Sequence, residues 1–538
     1  MTTKSTSRLT RTDGMALAII ALAYALAILA MSPSRDFALL DDWTYANSVQ
    51  HIVAGQGFVP SQYAQATLVS HSYWGAAFAW LLGMNFTALT LATMTMSIVG
   101  AMAFYLILRV LDFTPAFSGL GVAVLTLNPF YLYLSYTYMT EITFTALVLV
   151  ACLCYLLGVR GEGSLVWLLF GSLFALLAFL TRQFGLAIPV AALLWLATAR
   201  KLTLPRALAV AGLPLLSAIV YYTWSAGFGP TFSSSVGREE LLELLHPAEW
   251  AQRASRFVYF AVFLPGLTVP LWSKPRRWRT ALGLSLATAI VVYVLWQVKM
   301  GLVDTGQSDL NELSYTWLSY VFTNTAILTL IYCLGAGLAV WLFYTMFERA
   351  WPTVRDLVRR RVVPSPALFF LLAGGILFVG TYLVSAGFLD RYWVPILPFV
   401  IAGALYTLKG RSWRSLIPSL VALAIVGTYG ALVHLDDYAA MGARWTAGRD
   451  LLASGVSLDT IENGYAWDGF FLGESSMARY PDPDVRVIGR IFPPYELIDP
   501  QYVIDTQPRA GYTVVKQYPY SSILGGMAER EMLVMSDK

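Results

Sequence analysis

The chain has 538 residues, 57% of them hydrophobic and only 13% charged, with a mean hydropathy of +0.61 and a formal net charge of +4. A soluble domain carries about 25% charged residues, so the composition excludes a soluble enzyme and describes an integral membrane protein. Apolar runs of bilayer-spanning length recur along most of the chain. Inside lipid the backbone must satisfy its own hydrogen bonds, so these runs are predicted to be helices.

In chain order the predicted spans are 15–32, 86–108, 117–135, 141–158, 164–181, 184–199, 207–226, 255–272, 281–298, 317–346, 364–387, 392–407 and 414–434, about thirteen in all. The run at 72–84 is too short to span and reads as a re-entrant or interfacial helix. Span 15–32 lacks a small-residue cleavage site and is followed by Ser32-Pro33-Ser34-Arg35, so it reads as retained. With the N-terminus in the cytoplasm, the cytoplasmic segments hold about 20 Lys and Arg and the external loops about 7. The reverse orientation inverts that ratio, so the positive-inside rule fixes the topology. The basic runs, such as Arg276-Arg277 and Arg355 to Arg361, are then orientation signals and lipid headgroup contacts. Nucleic-acid binding does not explain them. Cys152, Cys154 and Cys333 fall in apolar spans and read as packing.

Four external segments break the membrane pattern. The loop 33–85 opens with Leu40-Asp41-Asp42-Trp43-Thr44-Tyr45-Ala46; a short amphipathic helix, Tyr45 to Val53, stops at Gly55-Gln56-Gly57. The segment 227–254 ends in an amphipathic run, Glu239 to Leu245, expected at the interface. The segment 299–316 is polar, with Asp304, Asp309 and Glu312. The tail 435–538 carries about 15 acidic and 9 basic residues and strand-like pieces at Val485 to Ile488 and Tyr502 to Ile504. About 100 residues can bury a small core. The expected division is a transmembrane domain at 1–434 and an external α/β domain at 435–538.

Two adjacent carboxylates just beyond a span are costly unless they do something. Asp41 and Asp42 suit a general base, and adjacent residues on a helix point apart, so one faces the reaction. A polar helix end is the other reading. Glu141 sits at a helix start, where a carboxylate also suits the helix dipole. Arg182 lies where two spans meet and needs a partner: a lipid phosphate, held by the guanidinium fork, or a buried acid. Arg391 has the same two readings, and Lys299 is a third phosphate contact or an ordinary snorkelling side chain. His51 and His71 share the acidic loop, so a divalent cation is conceivable there, though the spacing matches no known site. Tyr73, Trp74, Tyr131, Tyr133 and Trp393 suit sugar stacking or an interfacial belt. No Walker loop, Ser-His-Asp layout, Rossmann fingerprint or HExxH is present, which argues against an ATP-driven pump and a soluble-type nucleotide-sugar transferase.

Asp41-Asp42-x-x-Tyr45-Ala46 resembles the Asp-Glu-x-x-Tyr-Ala pattern of the membrane glycosyltransferases with the C-type fold, the superfamily of protein O-mannosyltransferases and aminoarabinose transferases. Aspartate replaces the common second glutamate. His71 stands where that family has His-Pro-Pro-Leu, without the prolines. Thr140-Glu141 resembles its second external acidic site, Thr181-Arg182-Gln183 its arginine after a later span, and Asp390-Arg391-Tyr392-Trp393-Val394-Pro395 its Arg-Tyr-x-x-Pro element. The resemblance covers residues 1 to about 435 in layout. It implies an all-α polytopic fold of C-type architecture in the plasma (inner) membrane. It implies transfer of a sugar from a polyprenyl-phosphate donor to a lipid, glycan or protein acceptor at the external face, with inversion. Asp41 is then the base, Asp42 its support, Arg182, Arg391 and Lys299 the phosphate contacts, and Glu141, Tyr45, His71 and Tyr392 substrate contacts. A transporter or lipid flippase is the alternative; it predicts mid-membrane charges and inverted repeats, and neither is visible. An assembly partner without catalysis is a third reading.

Overall fold

A computed structural model describes residues 10–32, 34–60, 63–64, 66–160, 164–226, 274–302, 325–359, 365–384, 390–408, 412–479, 497–524 and 528–537. The span expected at 255–272, the run Glu239 to Leu245, the loop acids Asp304, Asp309 and Glu312, and the strand expected at Val485 to Ile488 lie outside the described residues. The described chain is mainly helical, as the hydropathy pattern requires.

The first helix, Arg11–Met31, starts in a capping box: Thr10 Oγ1 accepts from the Asp13 backbone and Asp13 accepts from that of Thr10. Arg109 Nε at 2.6 Å and the Tyr105 hydroxyl at 2.9 Å also reach Asp13 and tie this helix to Phe86–Val110. Thr140–Val159 is the centre of the bundle and is buried along most of its length. It packs against Leu165–Phe179 through two glycines: a Cβ at Gly158 would overlap Leu168, and one at Gly171 would overlap Tyr155.

Only part of the thirteen expected spans falls on the described residues. Among the described residues six helices are long and apolar enough to cross a membrane, or seven if one bent pair counts as a span. The bent pair replaces the continuous span expected at 117–135. Pro115–Thr126 stops, and Pro129–Ser135 leaves at 68°. Pro129 has no N–H to continue the ladder, and Asn128 caps the new helix by accepting from Phe130 N at 3.1 Å. The spans expected at 164–181 and 184–199 appear as shorter apolar helices, Leu165–Phe179 and Gln183–Thr198, and those expected at 281–298 and 364–387 fall on the helices Trp278–Leu302 and Pro366–Val384. The one expected at 392–407 is a 3-10 turn, Asp390–Ile396, followed by Leu397–Thr407; both Pro395 and Pro398 interrupt it.

The last long helix, Ile417–Ala453, has 37 residues and runs straight through the boundary expected at 434/435. At ~1.5 Å per residue it is about 55 Å long, well beyond a hydrocarbon core of ~30 Å. Its C-terminal half therefore projects from the bundle and carries the tail. There the strands β1 (Ile461–Glu462), β2 (Tyr502–Asp505), β3 (Thr513–Ser522) and β4 (Ala528–Ser536) form a sheet of order β1-β2-β4-β3. β1 pairs parallel to β2, and the other pairs are antiparallel. Alternation splits the sheet's side chains: Ile504, Met532 and Val534 pack with Ala447 of the long helix, and Val503, Leu533 and Met535 form the other face. Asp436 fixes the sheet to the helix by accepting from Ser522 Oγ at 2.7 Å, Ile523 N at 2.7 Å and Leu524 N at 3.0 Å.

Between β1 and β2 the helix Tyr465–Arg479 turns back onto Asp42–Val53. Gly469 and Gly473 face the fully buried Trp43, and a Cβ at either would enter its ring. The same helix buries Asp468, whose Oδ1 accepts from Asn463 N at 3.2 Å while Oδ2 has no hydrogen-bond partner among the described residues. Burial pushes the Asp468 carboxyl up to about 7. The unfolded value is near 3.9, so between those limits the native state holds a proton that the unfolded state releases. Stability therefore falls as pH rises from about 4 through 7, by up to about 4 kcal/mol. Asp468→Asn removes this term. The melting-temperature gap between the variant and the wild type should widen in favour of the variant from pH 5 to pH 8. A gap independent of pH would contradict the buried acid.

Candidate active site

Four of the expected site residues meet in one alternating chain of charge. Asp41 stands at the N-cap position of the Asp42–Val53 helix, without a side-chain cap bond. Its Oδ2 accepts from Arg391 Nη2 at 2.5 Å, and its Oδ1 accepts from the Tyr465 hydroxyl at 2.7 Å. Arg391 Nε lies 3.5 Å from Glu141 Oε1. That same oxygen accepts from Arg182 Nη1 at 3.0 Å, which also donates to Thr140 Oγ1 at 2.8 Å. The order is Asp41, Arg391, Glu141, Arg182. All are buried except Asp41, whose side chain is 23% exposed. Glu141 Oε2 has no hydrogen-bond partner among the described residues.

Each member comes from a helix end, where the backbone geometry allows a charged side chain to reach its neighbours. Glu141 stands in the first turn of Thr140–Val159. Arg182 is extended (φ −148°) between Leu165–Phe179 and the 3-10 turn Gln183–Leu186. That turn folds tightly because Gly185 lies against the backbone of Ala178 and Phe179, where a Cβ has no room. Arg391 sits in the 3-10 turn Asp390–Ile396. The Tyr392 ring lies 4.6 Å from the Arg182 guanidinium and 5.9 Å from that of Arg391, within cation–π range. Tyr45 is buried beside them. Burial first, then the charges of Asp41 and Glu141, push its phenol well above its ordinary value, so it remains a neutral donor.

Asp42 does not join this chain. It turns inward, fully buried, with Oδ2 2.5 Å from Arg35 Nη2 and Oδ1 accepting from Tyr138 N at 2.8 Å. Leu40, in the left-handed region at φ +54°, turns the backbone just before the pair. Asp42 therefore supports the loop structurally and does not face Arg391. His71 is also buried. Its ring nitrogens lie 3.1 Å from Thr143 Oγ1 and 3.2 Å from the Tyr138 carbonyl, and it stacks on Tyr138 at 4.2 Å. It positions the start of the Glu141 helix. His51 pairs with Glu474 at 3.1 Å and with Gln56. The two histidines and two acids are thus not gathered, and among the described residues no group of three or more His, Cys, Asp or Glu could hold a metal. Lys299 lies near the end of the helix Trp278–Leu302, and its side chain is outside the described set.

Two residues at the site carry no mark in the sequence. Arg35 entered only through Ser32-Pro33-Ser34-Arg35, which follows the first span. Tyr465 belongs to the tail, 424 positions from Asp41. A cleft of about 640 Å³ between the Ile417–Ala453 helix and the sheet, lined by Asp437, Arg444, Tyr520 and Arg530 among others, shares no residue with the charge chain.

No family model and no curated protein matches the chain. Solved structures of ArnT are among those similar to it. One is ArnT from Cupriavidus metallidurans in the apo state, at 16% identity over 83% of this chain and 73% of that one, with a TM-score of 0.43. The other is ArnT from Cupriavidus metallidurans bound to undecaprenyl phosphate, at 13% identity over 96% of this chain and 97% of that one, with a TM-score of 0.45.

Proposed function

We propose that the protein transfers a sugar from a polyprenyl-phosphate donor to an acceptor hydroxyl at the external face of the membrane, with Asp41 as general base. The observation that carries this reading is the chain Asp41–Arg391–Glu141–Arg182, a partly exposed carboxylate backed by two buried guanidinium groups. Sugar transfer needs both parts. The base takes the acceptor proton as its oxygen bonds to the sugar C1. The C1–O bond to phosphate breaks, and the electron pair leaves on the polyprenyl phosphate, whose charge Arg391 and Arg182 meet. The motif resemblance supports the same roles for the same residues. The Lys and Arg asymmetry of the sequence supports an external position for the four helix ends. A transporter predicts inverted repeats, and the sequence shows none.

The test is reconstituted protein given undecaprenyl-phosphate-linked sugars and scored for released lipid phosphate. Arg182→Ala should weaken donor binding and slow transfer together, by roughly 10- to 150-fold, the worth of a charge-assisted hydrogen bond. Arg182→Lys should restore only part, since an ammonium lacks the planar fork. Arg182→Ala also strips Glu141 of its nearest cation, so Arg182→Ala with Glu141→Gln separates lost fold from lost phosphate binding. If that double variant regains wild-type donor affinity, Arg182 is a structural partner only. If no donor is consumed while labelled lipid or solute crosses the bilayer, the protein is a transporter.

A further inference from the structure

Both oxygens of Asp41 accept a hydrogen bond before any acceptor is present, one from Arg391 and one from Tyr465. An acceptor hydroxyl needs one of those two oxygens, so a donor must let go before it can hydrogen-bond to Asp41. Which donor leaves follows from how each is mounted. Arg391 is buried to 8% side-chain exposure, lies 3.5 Å from a second carboxylate and sits against the Tyr392 ring. Tyr465 is 39% exposed and opens its helix directly after Gly464, which has φ +84°. The Tyr465 ring lies edge-on to Trp43 at 5.9 Å, and behind it the helix has further anchors that do not use the hydroxyl. Gly469 and Gly473 pack on Trp43, Ser476 Oγ lies 3.0 Å from the Tyr63 hydroxyl, and Glu474 pairs with His51. The Tyr465 hydroxyl can therefore give up Asp41 while the helix stays docked.

We infer that Tyr465 is a specificity-determining residue that denies water to Asp41 until an acceptor hydroxyl displaces the phenol. The inference rests on the transferase reading above. With acceptor bound, its O–H takes the place of the phenol on Oδ1 and the transfer proceeds. Without the phenol, water takes that place. Its oxygen bonds to the sugar C1, the C1–O bond to phosphate breaks with its electron pair leaving on the polyprenyl phosphate, and the water proton passes to Asp41. The products are free sugar and polyprenyl phosphate. The tail thus supplies a residue that selects an acceptor over solvent.

The experiment uses full-length protein in nanodiscs with undecaprenyl-phosphate-linked mannose, arabinose or aminoarabinose and no acceptor, and measures free sugar. Tyr465→Phe should raise hydrolysis about 10-fold or more. Tyr465→Ala should do the same should the Phe variant accumulate poorly. Adding Asp41→Asn to Tyr465→Phe should return hydrolysis to the wild-type level, an effect that loosened packing would not produce. Free sugar no higher in Tyr465→Phe and Tyr465→Ala than in wild type overturns the inference. If the wild type then still transfers sugar to a membrane-extract acceptor, only the role of Tyr465 falls. If the wild type consumes no donor with or without that extract, the transferase reading falls with it.

Discussion

Arg35→Ala destabilises the protein by about 3–5 kcal/mol, the usual cost of removing one partner of a buried ion pair. Arg35 joins three parts of the chain. Its Nη2 holds Asp42 at 2.5 Å, Nη1 donates to the Phe37 carbonyl at 2.7 Å, and Nε donates to Thr90 Oγ1 at 3.0 Å. The rings of Phe86 and Tyr438 lie 5.6 and 5.8 Å from the guanidinium. Alanine leaves the Asp42 carboxylate fully buried, with only the backbone N–H groups of Tyr138 and Leu39 to meet its charge. Asp42→Asn should cost less, because the amide oxygen still accepts from the backbone and the abandoned charge is on an arginine with two other acceptors. Arg35→Met with Asp42→Leu should recover most of the loss, since a buried pair replaced by apolar groups of similar volume is often close to neutral. The measurement is thermal denaturation in detergent across the three variants. An Arg35→Ala protein as stable as wild type would show that Asp42 is not held in this way.

The contrast between Asp41 and Asp42 marks how far the sequence can be read. Adjacent helix residues diverge, so one acid had to face away from the reaction; which one depends on Arg35, seven residues earlier and brought close by the turn at Leu40. Asp41, Glu141, Arg182 and Arg391 were each legible as charges at the ends of apolar runs. Their meeting was not, because four helix ends converge only through the packing of the bundle. His71 was legible as a loop histidine, yet its burial against Tyr138 and Thr143 takes it out of any ligand set. Tyr465 had no signal, since nothing local distinguishes it from other tail tyrosines. Span shapes were legible only in part for a related reason. Hydropathy measures composition, whereas a helix needs backbone continuity, and Asn128-Pro129, Gly185 and Pro395 break runs that remain apolar. The Ile417–Ala453 helix errs in the opposite sense. Its hydropathy falls after residue 434, but nothing in Leu435 to Ala453 stops a helix, so it continues and carries the tail over the site.

Asp41→Asn should lower the turnover of sugar transfer by roughly 10²–10⁴, the effect of losing a general base, while donor affinity and fold stay near wild type. The geometry allows that separation. Asparagine keeps the size of aspartate, its Oδ1 can accept from Arg391, and its amide can donate to the Tyr465 hydroxyl oxygen, so both neighbours retain a partner. Arg391 keeps Glu141 at 3.5 Å and is not left without an anion. Asp41 is also the most exposed member of the chain, so the lost charge unbalances it least. Removal of an interaction made only during proton transfer lowers kcat and kcat/KM for the acceptor alike. A variant impaired through phosphate contact, such as Arg182→Ala, should instead raise KM for the donor as well. Turnover of purified Asp41→Asn with an undecaprenyl-phosphate-linked sugar, alongside its melting temperature, separates these cases. Turnover within a few-fold of wild type would remove Asp41 from the base role and leave Glu141, whose Oε2 is unpartnered among the described residues, as the remaining carboxylate of the chain able to take a proton.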